Sequence, residues 1–229
     1  SKKNKKIGVI AIDPTSPFNF GSLLGDRLRM AEHFSNENIF IRSLATRGSL
    51  GGLSAKTIEI TDIMQSFNFD YIFVETVGVG QTEVEVAGLA DTTILVLAPG
   101  LGDEIQTMKS GIMEIGDIFV VNKSDNPGAD GFATTIKHLV EKKMTHDWIP
   151  PVLKVTATHN EGVEQLMDKI DQHYAKNFNN KKPFLLAEKA YKLIQHNRMK
   201  NLYKKKLQED IKKEMKKKDF NLYEFIKQF

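Results

Sequence analysis

From Ile7 to about Tyr174, short apolar runs alternate with longer stretches in which apolar positions recur at helical spacing. The runs are Ile7–Ile12, Tyr71–Thr76, Thr93–Ala98, Ile118–Lys123 and Val152–Thr156. Each is rich in β-branched residues and apolar on both alternating faces, the pattern of strands covered by helices on both sides of a largely parallel sheet. Helices are predicted between them over Ser54–Phe67, Asp103–Ile115, Ala129–Lys143 and Gly162–Tyr174. This β–α order predicts an α/β fold with a doubly wound, mostly parallel sheet, whose ligands collect at the carboxyl ends of the strands. The polar stretch Asn177–Pro183 reads as a linker. Beyond it, Leu186, Ala190, Leu193 and Ile194, then Leu207, Ile211 and Met215, keep helical spacing, and a last short helix is expected within Asn221–Phe229. The expected organisation is one domain over residues 1–176, a linker over 177–183 and a helical extension over 184–229. The apolar stripes of that extension fit packing on their own domain or docking of a second subunit.

Composition narrows the classes. Of the 229 residues, 41% are apolar, enough for a real core, and no apolar run approaches the ~20 residues that cross a bilayer. There is no cysteine, which excludes disulfides and thiolate metal sites. The basic, polar start leads straight into a strand and is unlike a secretory signal. The net charge is +3, with lysines crowded into Lys2–Lys6 and Lys200–Lys218. Acidic residues interrupt the second cluster and no aromatic stacking pattern accompanies it, so a solvated helix face is expected there and no nucleic-acid or membrane partner.

The strongest local signal is Asn122-Lys123-Ser124-Asp125, directly after the run Ile118–Val121. A carboxylate at a strand's end accepts both the N1 and the exocyclic amino protons of guanine, whereas adenine offers the opposite polarity at that edge. Asn122 is expected to tie this loop to its neighbours, and the stem of Lys123 to lie along the flat base. Thr156-Ala157-Thr158 closes the next run and matches a loop that presents a backbone N–H to guanine O6. Glu75 ends the run Tyr71–Thr76 and is followed by Gly78, a pairing suited to ordering Mg²⁺ through its water shell and to sensing a terminal phosphate. Asp13 closes the first run and Asp26 follows a short loop. With Glu75 they would make an acidic cluster able to hold a hydrated Mg²⁺ or position a water.

The segments IDPTSPFNFGSLLGDRLRM, TRGSLGGLSAKT and ETVGVGQTEVEVAGLADTTILVLAPGLGDEIQTMKSGIMEIGDIFVVNKSD resemble the methylmalonyl-CoA mutase-associated GTPases, formerly described as lysine-arginine-ornithine transport ATPases. The resemblance covers about Ile7 to Tyr174 and implies a P-loop GTPase fold. It implies that the protein binds GTP and GDP and hydrolyses GTP, and that it gates cofactor loading and protects an adenosylcobalamin-dependent acyl-CoA mutase of the methylmalonyl-CoA type. Asp13, Asp26 and Glu75 would be the Mg²⁺ and catalytic acids. Asn122, Lys123 and Asp125 would read guanine. Gly100 to Lys109 would be an additional switch through which the mutase raises GTP hydrolysis, with Lys109 a catalytic participant. The helices after Pro183 would support a homodimer. The implied setting is the bacterial cytoplasm, or the mitochondrial matrix in a eukaryote.

One departure matters. The phosphate-cradling pattern Gly-x-x-x-x-Gly-Lys-[Ser/Thr] does not occur in the sequence. The expectation is a chain that begins one β–α unit late and is a fragment, in preference to a degenerate relative that keeps the scaffold without binding phosphate. The lacking strand would lie in mid-sheet, beside the strand that ends at Glu75. Two other functions compete. A nickel-type metallochaperone GTPase would supply cysteines or clustered histidines, and this chain has no cysteine and scattered histidines. A non-catalytic interaction scaffold would bind no nucleotide.

Overall fold

The computed structural model describes residues 4–13, 30–45, 55–76, 89–100, 112–142, 148–176, 182–217 and 219–229. Six strands and seven α-helices lie within them: β1 (Ile7–Asp13), β2 (Ile39–Ala45), α1 (Ala55–Gln65), β3 (Tyr71–Thr76), β4 (Ile94–Leu97), α2 (Ile112–Ile115), β5 (Ile118–Val121), α3 (Ala129–Lys142), β6 (Val152–Lys154), α4 (Val163–Lys176), α5 (Lys182–Met199), α6 (Lys204–Glu214) and α7 (Leu222–Ile226). All pairing within the sheets is parallel, in two groups of three strands, ordered β2-β1-β3 and β4-β5-β6. The chain divides into two compact units, Ser1–Lys189 and Ala190–Phe229.

Strand β5 shows why the β–α alternation works. Phe119 and Val121 point to one face and pack with Phe132, Ile136 and Val140 of α3. Ile118 and Val120 point to the other and pack with Ile170, Val163 and Leu166 of α4. All four β5 side chains are buried, as in a strand covered on both faces. On α3 the buried residues Ala129, Phe132, Ile136 and Val140 recur every three or four positions, one apolar stripe laid on the sheet.

In the other group, β1 carries the buried Ile10, Ala11 and Ile12, and Ile58 of α1 is fully enclosed. Strand β3 pairs with β1, and β4 with β5, each on one edge. Both are correspondingly less buried than the central strands: every β3 residue is half-buried and Val96 of β4 is 59% exposed. The two groups are linked beneath by Tyr71, which packs beside Ile94 against the Ile118–Leu153 cluster and donates its hydroxyl to Asp171 of α4 at 2.8 Å. That bond, then burial, raises the Tyr71 pKa.

Strand β2 is the element that the sequence pattern did not predict. It pairs with β1 along its whole length, from Ile7↔Ile39 to Asp13↔Ala45. Its alternation is broken by Arg42 and Ser43, Phe40 stands half-exposed, and among the described residues the strand has a neighbour on one side. Helix α5 begins at Lys182, inside the stretch expected to be linker, with Pro183 in its first turn, where a missing N–H costs nothing. In the second unit, Asn221 caps α7 by accepting from the amides of Tyr223 and Glu224, and Phe225 is buried between Phe220 and Phe229.

A polar latch holds the lead-in to β1 against the lead-in to β3. Lys5 Nζ pairs with Asp70 Oδ1 at 2.6 Å, and the Lys6 amide donates to Asp70 Oδ2 at 2.8 Å. The hydrogen bond from Lys5 is the main cause holding the Asp70 carboxyl below its ordinary range. A depressed folded-state value contributes stability above the unfolded value and loses it as pH falls through the folded one. Asp70→Asn is therefore expected to lower the melting temperature slightly at neutral pH, where this contribution is present, and to leave it unchanged at low pH, which flattens the acid limb of a melting temperature–pH curve.

Candidate functional site

The loops that end β5 and β6 meet at one end of the sheet. Leaving β5, the Asn122 amide donates to the Leu97 carbonyl at 2.7 Å, which seats the loop against β4. The Asn122 Oδ1 then accepts from the Ala157 amide at 3.2 Å, joining the two loops directly. A second pair of bonds repeats the tie: the Ser124 amide donates to the Val155 carbonyl at 3.1 Å, and the Ser124 and Thr156 hydroxyls meet at 3.0 Å. Lys123 occupies the left-handed region, with φ of 55°, so the chain reverses sharply there and both Lys123 and Asp125 stand exposed. Asp125 makes no ion pair among the described residues, and its carboxylate is presented to solvent at the carboxyl end of β5.

The partner loop is equally fixed. Thr156 is buried and exchanges two backbone bonds with Glu161, at 3.1 and 3.2 Å, closing a short turn through Ala157–His159. Asn160 at φ 57° and Gly162 at φ 76° complete that turn. A Cβ at residue 162 would lie 2.3 Å from the Lys154 carbonyl oxygen, so the chain passes where only glycine fits. The Ala157 N–H is already given to Asn122, and the next amide, that of Thr158, makes no hydrogen bond among the described residues. The structure thus brings Asn122, Lys123, Asp125, Thr156, Ala157 and Thr158 into one constellation. Ser124, Glu161 and Gly162 support it. Sequence reasoning passed over these three, although Ser124 fills the variable place in the Asn-Lys-x-Asp run.

The acidic residues sit on the other group of strands. Asp13 is the last residue of β1 and Glu75 the penultimate residue of β3, with Glu75 in register with Ala11. Both therefore lie at carboxyl ends of adjacent strands, where a doubly wound sheet binds ligands. The Glu75 Oε2 is buried without a hydrogen-bond partner among the described residues. A buried, unpartnered carboxylate oxygen is costly unless a cation or donor meets it, and it fits the outer sphere of a hydrated divalent ion. Gly78, Asp26 and Lys109, singled out in the sequence, lie outside the described residues, as does the segment after Gly100. Among the described residues no three His, Asp or Glu side chains gather into a metal cluster, and no helix is long and apolar enough to cross a membrane.

Comparison with known proteins agrees with this geometry. A protein of Pyrococcus abyssi named as a GTPase is 51% identical over 176 residues, covering 75% of this chain and 54% of that protein. The mitochondrial methylmalonic aciduria type A homolog of Mus musculus is 36% identical over 173 residues, covering 73% of this chain and 42% of that protein. The chain spans about half the length of the curated relatives it matches. Among solved structures, HypB from Helicobacter pylori in complex with nickel superposes with a TM-score of 0.51 over 77% of this chain and 78% of its own, at 16% identity, a likeness of fold. That likeness agrees with the α/β architecture with a parallel sheet expected from the sequence. The family model described as methylmalonyl Co-A mutase-associated GTPase MeaB matches residues 1–218, and the chain belongs to that family.

Proposed function

We propose that this chain is the guanine-reading and magnesium-holding part of a GTP-hydrolysing chaperone, which gates cofactor loading and protects an adenosylcobalamin-dependent acyl-CoA mutase of the methylmalonyl-CoA type. The observation that carries the nucleotide reading is the Asn122–Ala157 bond, which clamps two loops together and leaves Asp125 facing outward beside them. In that arrangement Asp125 accepts the N1 and amino protons of guanine, the Lys123 stem covers the base, and the Thr158 amide donates to O6. Charge-assisted bidentate bonds of this kind are strong and directional.

Asp13, Asp26 and Glu75 are the residues that would hold Mg²⁺ and align the attacking water, and Gly78 would follow the terminal phosphate. Held there, Mg²⁺ would supply positive charge to offset the negative charge that develops on the phosphates. Lys109, within the switch from Gly100 onward, answers the mutase by adding positive charge as hydrolysis proceeds. The family's name supports the mutase as partner. The helices beyond Pro183 join two copies into a homodimer. The protein works in the bacterial cytoplasm, or in the mitochondrial matrix in a eukaryote.

Calorimetric titration with GDP and ADP tests the base reading. GDP is expected to bind and ADP to bind at least about tenfold more weakly, a difference of ~1.4 kcal/mol. Equal affinities would remove the guanine assignment. Asn122→Ala, which unties Ala157, is expected to weaken GDP by roughly tenfold, the worth of one or two lost hydrogen bonds.

A further inference from the structure

Behind the Asn122 bond, the loop after β5 has a second anchor, in which the direction of one proton can be assigned. Thr156 is 2% exposed, and its hydroxyl has one partner among the described residues, the Ser124 hydroxyl at 3.0 Å. A buried O–H that gives its proton to nothing is costly, so Thr156 is the donor and Ser124 the acceptor. Ser124 is half-buried, which leaves its own proton free to reach water. Thr156 is immobilised in turn by its two backbone bonds with Glu161, at 3.1 and 3.2 Å. Thr156 is thus the fixed point, and Ser124 is the residue it holds.

Residue 124 is tied twice to the end of β6. Its amide donates to the Val155 carbonyl at 3.1 Å, and its hydroxyl accepts from the next residue, Thr156. Asp125 is exposed, and its carboxylate makes no hydrogen bond or ion pair among the described residues. The direction of that carboxylate is therefore set through the backbone. On its amino side the backbone runs through the left-handed Lys123, with φ of 55°, and the Asn126 amide closes the turn onto the Lys123 carbonyl at 3.0 Å. Ser124 sits inside this turn, so its two bonds to β6 decide the angle at which Asp125 leaves it.

We propose that Ser124 is a positioning residue for guanine selectivity, acting on Asp125 through the hydrogen bond it accepts from Thr156. The inference rests on the guanine reading above and adds what sets the selectivity within it. A bidentate pair needs both carboxylate oxygens in the plane of the base, one on N1–H and one on the 2-amino group. A single bond to N1–H survives rotation of the carboxylate. Loss of the Thr156 bond is therefore felt most at the 2-amino contact. The residue type at 124 follows from the same geometry: an apolar side chain would strand the buried Thr156 proton, and a hydroxyl accepts it.

Inosine diphosphate keeps the N1–H and O6 of guanine but has no 2-amino group, so the ratio of its affinity to that of GDP reads the second contact directly. Calorimetric titration of the whole chain is expected to give about a tenfold preference for GDP. Ser124→Ala is expected to reduce that preference to roughly twofold, and Thr156→Val, which keeps the shape and removes the proton, to do the same. The double variant is expected to add nothing further, because both changes break one bond. Ser124→Thr retains the acceptor and is expected to keep the preference. A merely structural role would lower the melting temperature and both affinities together and leave their ratio unchanged. Circular dichroism melts report that each variant folds, and Thr156→Val reads the bond even where Ser124→Ala does not fold. Equal affinities of the unaltered chain for GDP and ADP would remove the guanine reading and this inference with it. A preference for GDP over ADP would leave that reading standing, and three results would then overturn this inference by itself: equal binding of GDP and inosine diphosphate, a ratio that neither variant changes, or losses that add in the double variant.

Discussion

Asp125→Asn is expected to lower GDP affinity by at least about 100-fold and to raise affinity for xanthosine diphosphate. The carboxylate presents two acceptor oxygens to the guanine edge, and the amide replaces one with a donor. Guanine's amino group then meets another N–H, whereas the C2 carbonyl of xanthine meets a complementary one. Loss of a charge-assisted bidentate pair is worth roughly 3 kcal/mol, which is the stated fold-change. Asp125 is exposed and makes no ion pair among the described residues, so the melting temperature is expected to stay within about 1 °C, as for surface substitutions generally. Competition calorimetry with GDP and xanthosine diphosphate checks the two affinities, and a thermal melt checks the stability. Unchanged GDP affinity would place the base elsewhere.

The second large effect falls on the turn behind that site. Gly162→Ala is expected to cost ~3 kcal/mol, from a left-handed backbone and a Cβ pressed onto the Lys154 carbonyl. For a chain of this size that corresponds to a fall of roughly 6–12 °C in melting temperature. Relief of the clash requires the Thr156–Glu161 bridge to open, so guanine discrimination is expected to fall with stability. Gly128→Ala supplies the control. Gly128 also has positive φ, at 88°, but nothing lies within 4 Å of its would-be Cβ, and about 1 kcal/mol is expected. Equal losses at the two positions would show that backbone strain alone, without the contact, sets the effect.

Much of the fold was legible because β5 and its helices obey local rules. Ile118–Val121 is apolar on every position and is buried on every position, and the stripe of α3 follows the expected spacing. The position of the Asn122–Asp125 loop was legible for a related reason: its polar residues are consecutive and directly follow that strand. Strand β2 was not, because an edge strand needs fewer apolar positions and so leaves a weaker mark in the sequence. The link between Asn122 and Ala157 could be anticipated as a tie to a neighbouring loop, but its partner could not, since 35 residues separate them. Still less accessible to pattern reading is a network in which the Trp148 indole N–H donates to the Asp117 carbonyl and the Asp117 carboxylate faces His173. Its members are dispersed over the segments before β5 and β6 and over α4, and each is individually an ordinary acid, aromatic or histidine.

The placement of the candidate residues has a practical consequence. The loops proposed to read the base follow β5 and β6, whereas Asp13 and Glu75 end β1 and β3. Under the function proposed above, substitutions in one set leave the strands that carry the other untouched, so purine preference and cation dependence are expected to be separable by mutation.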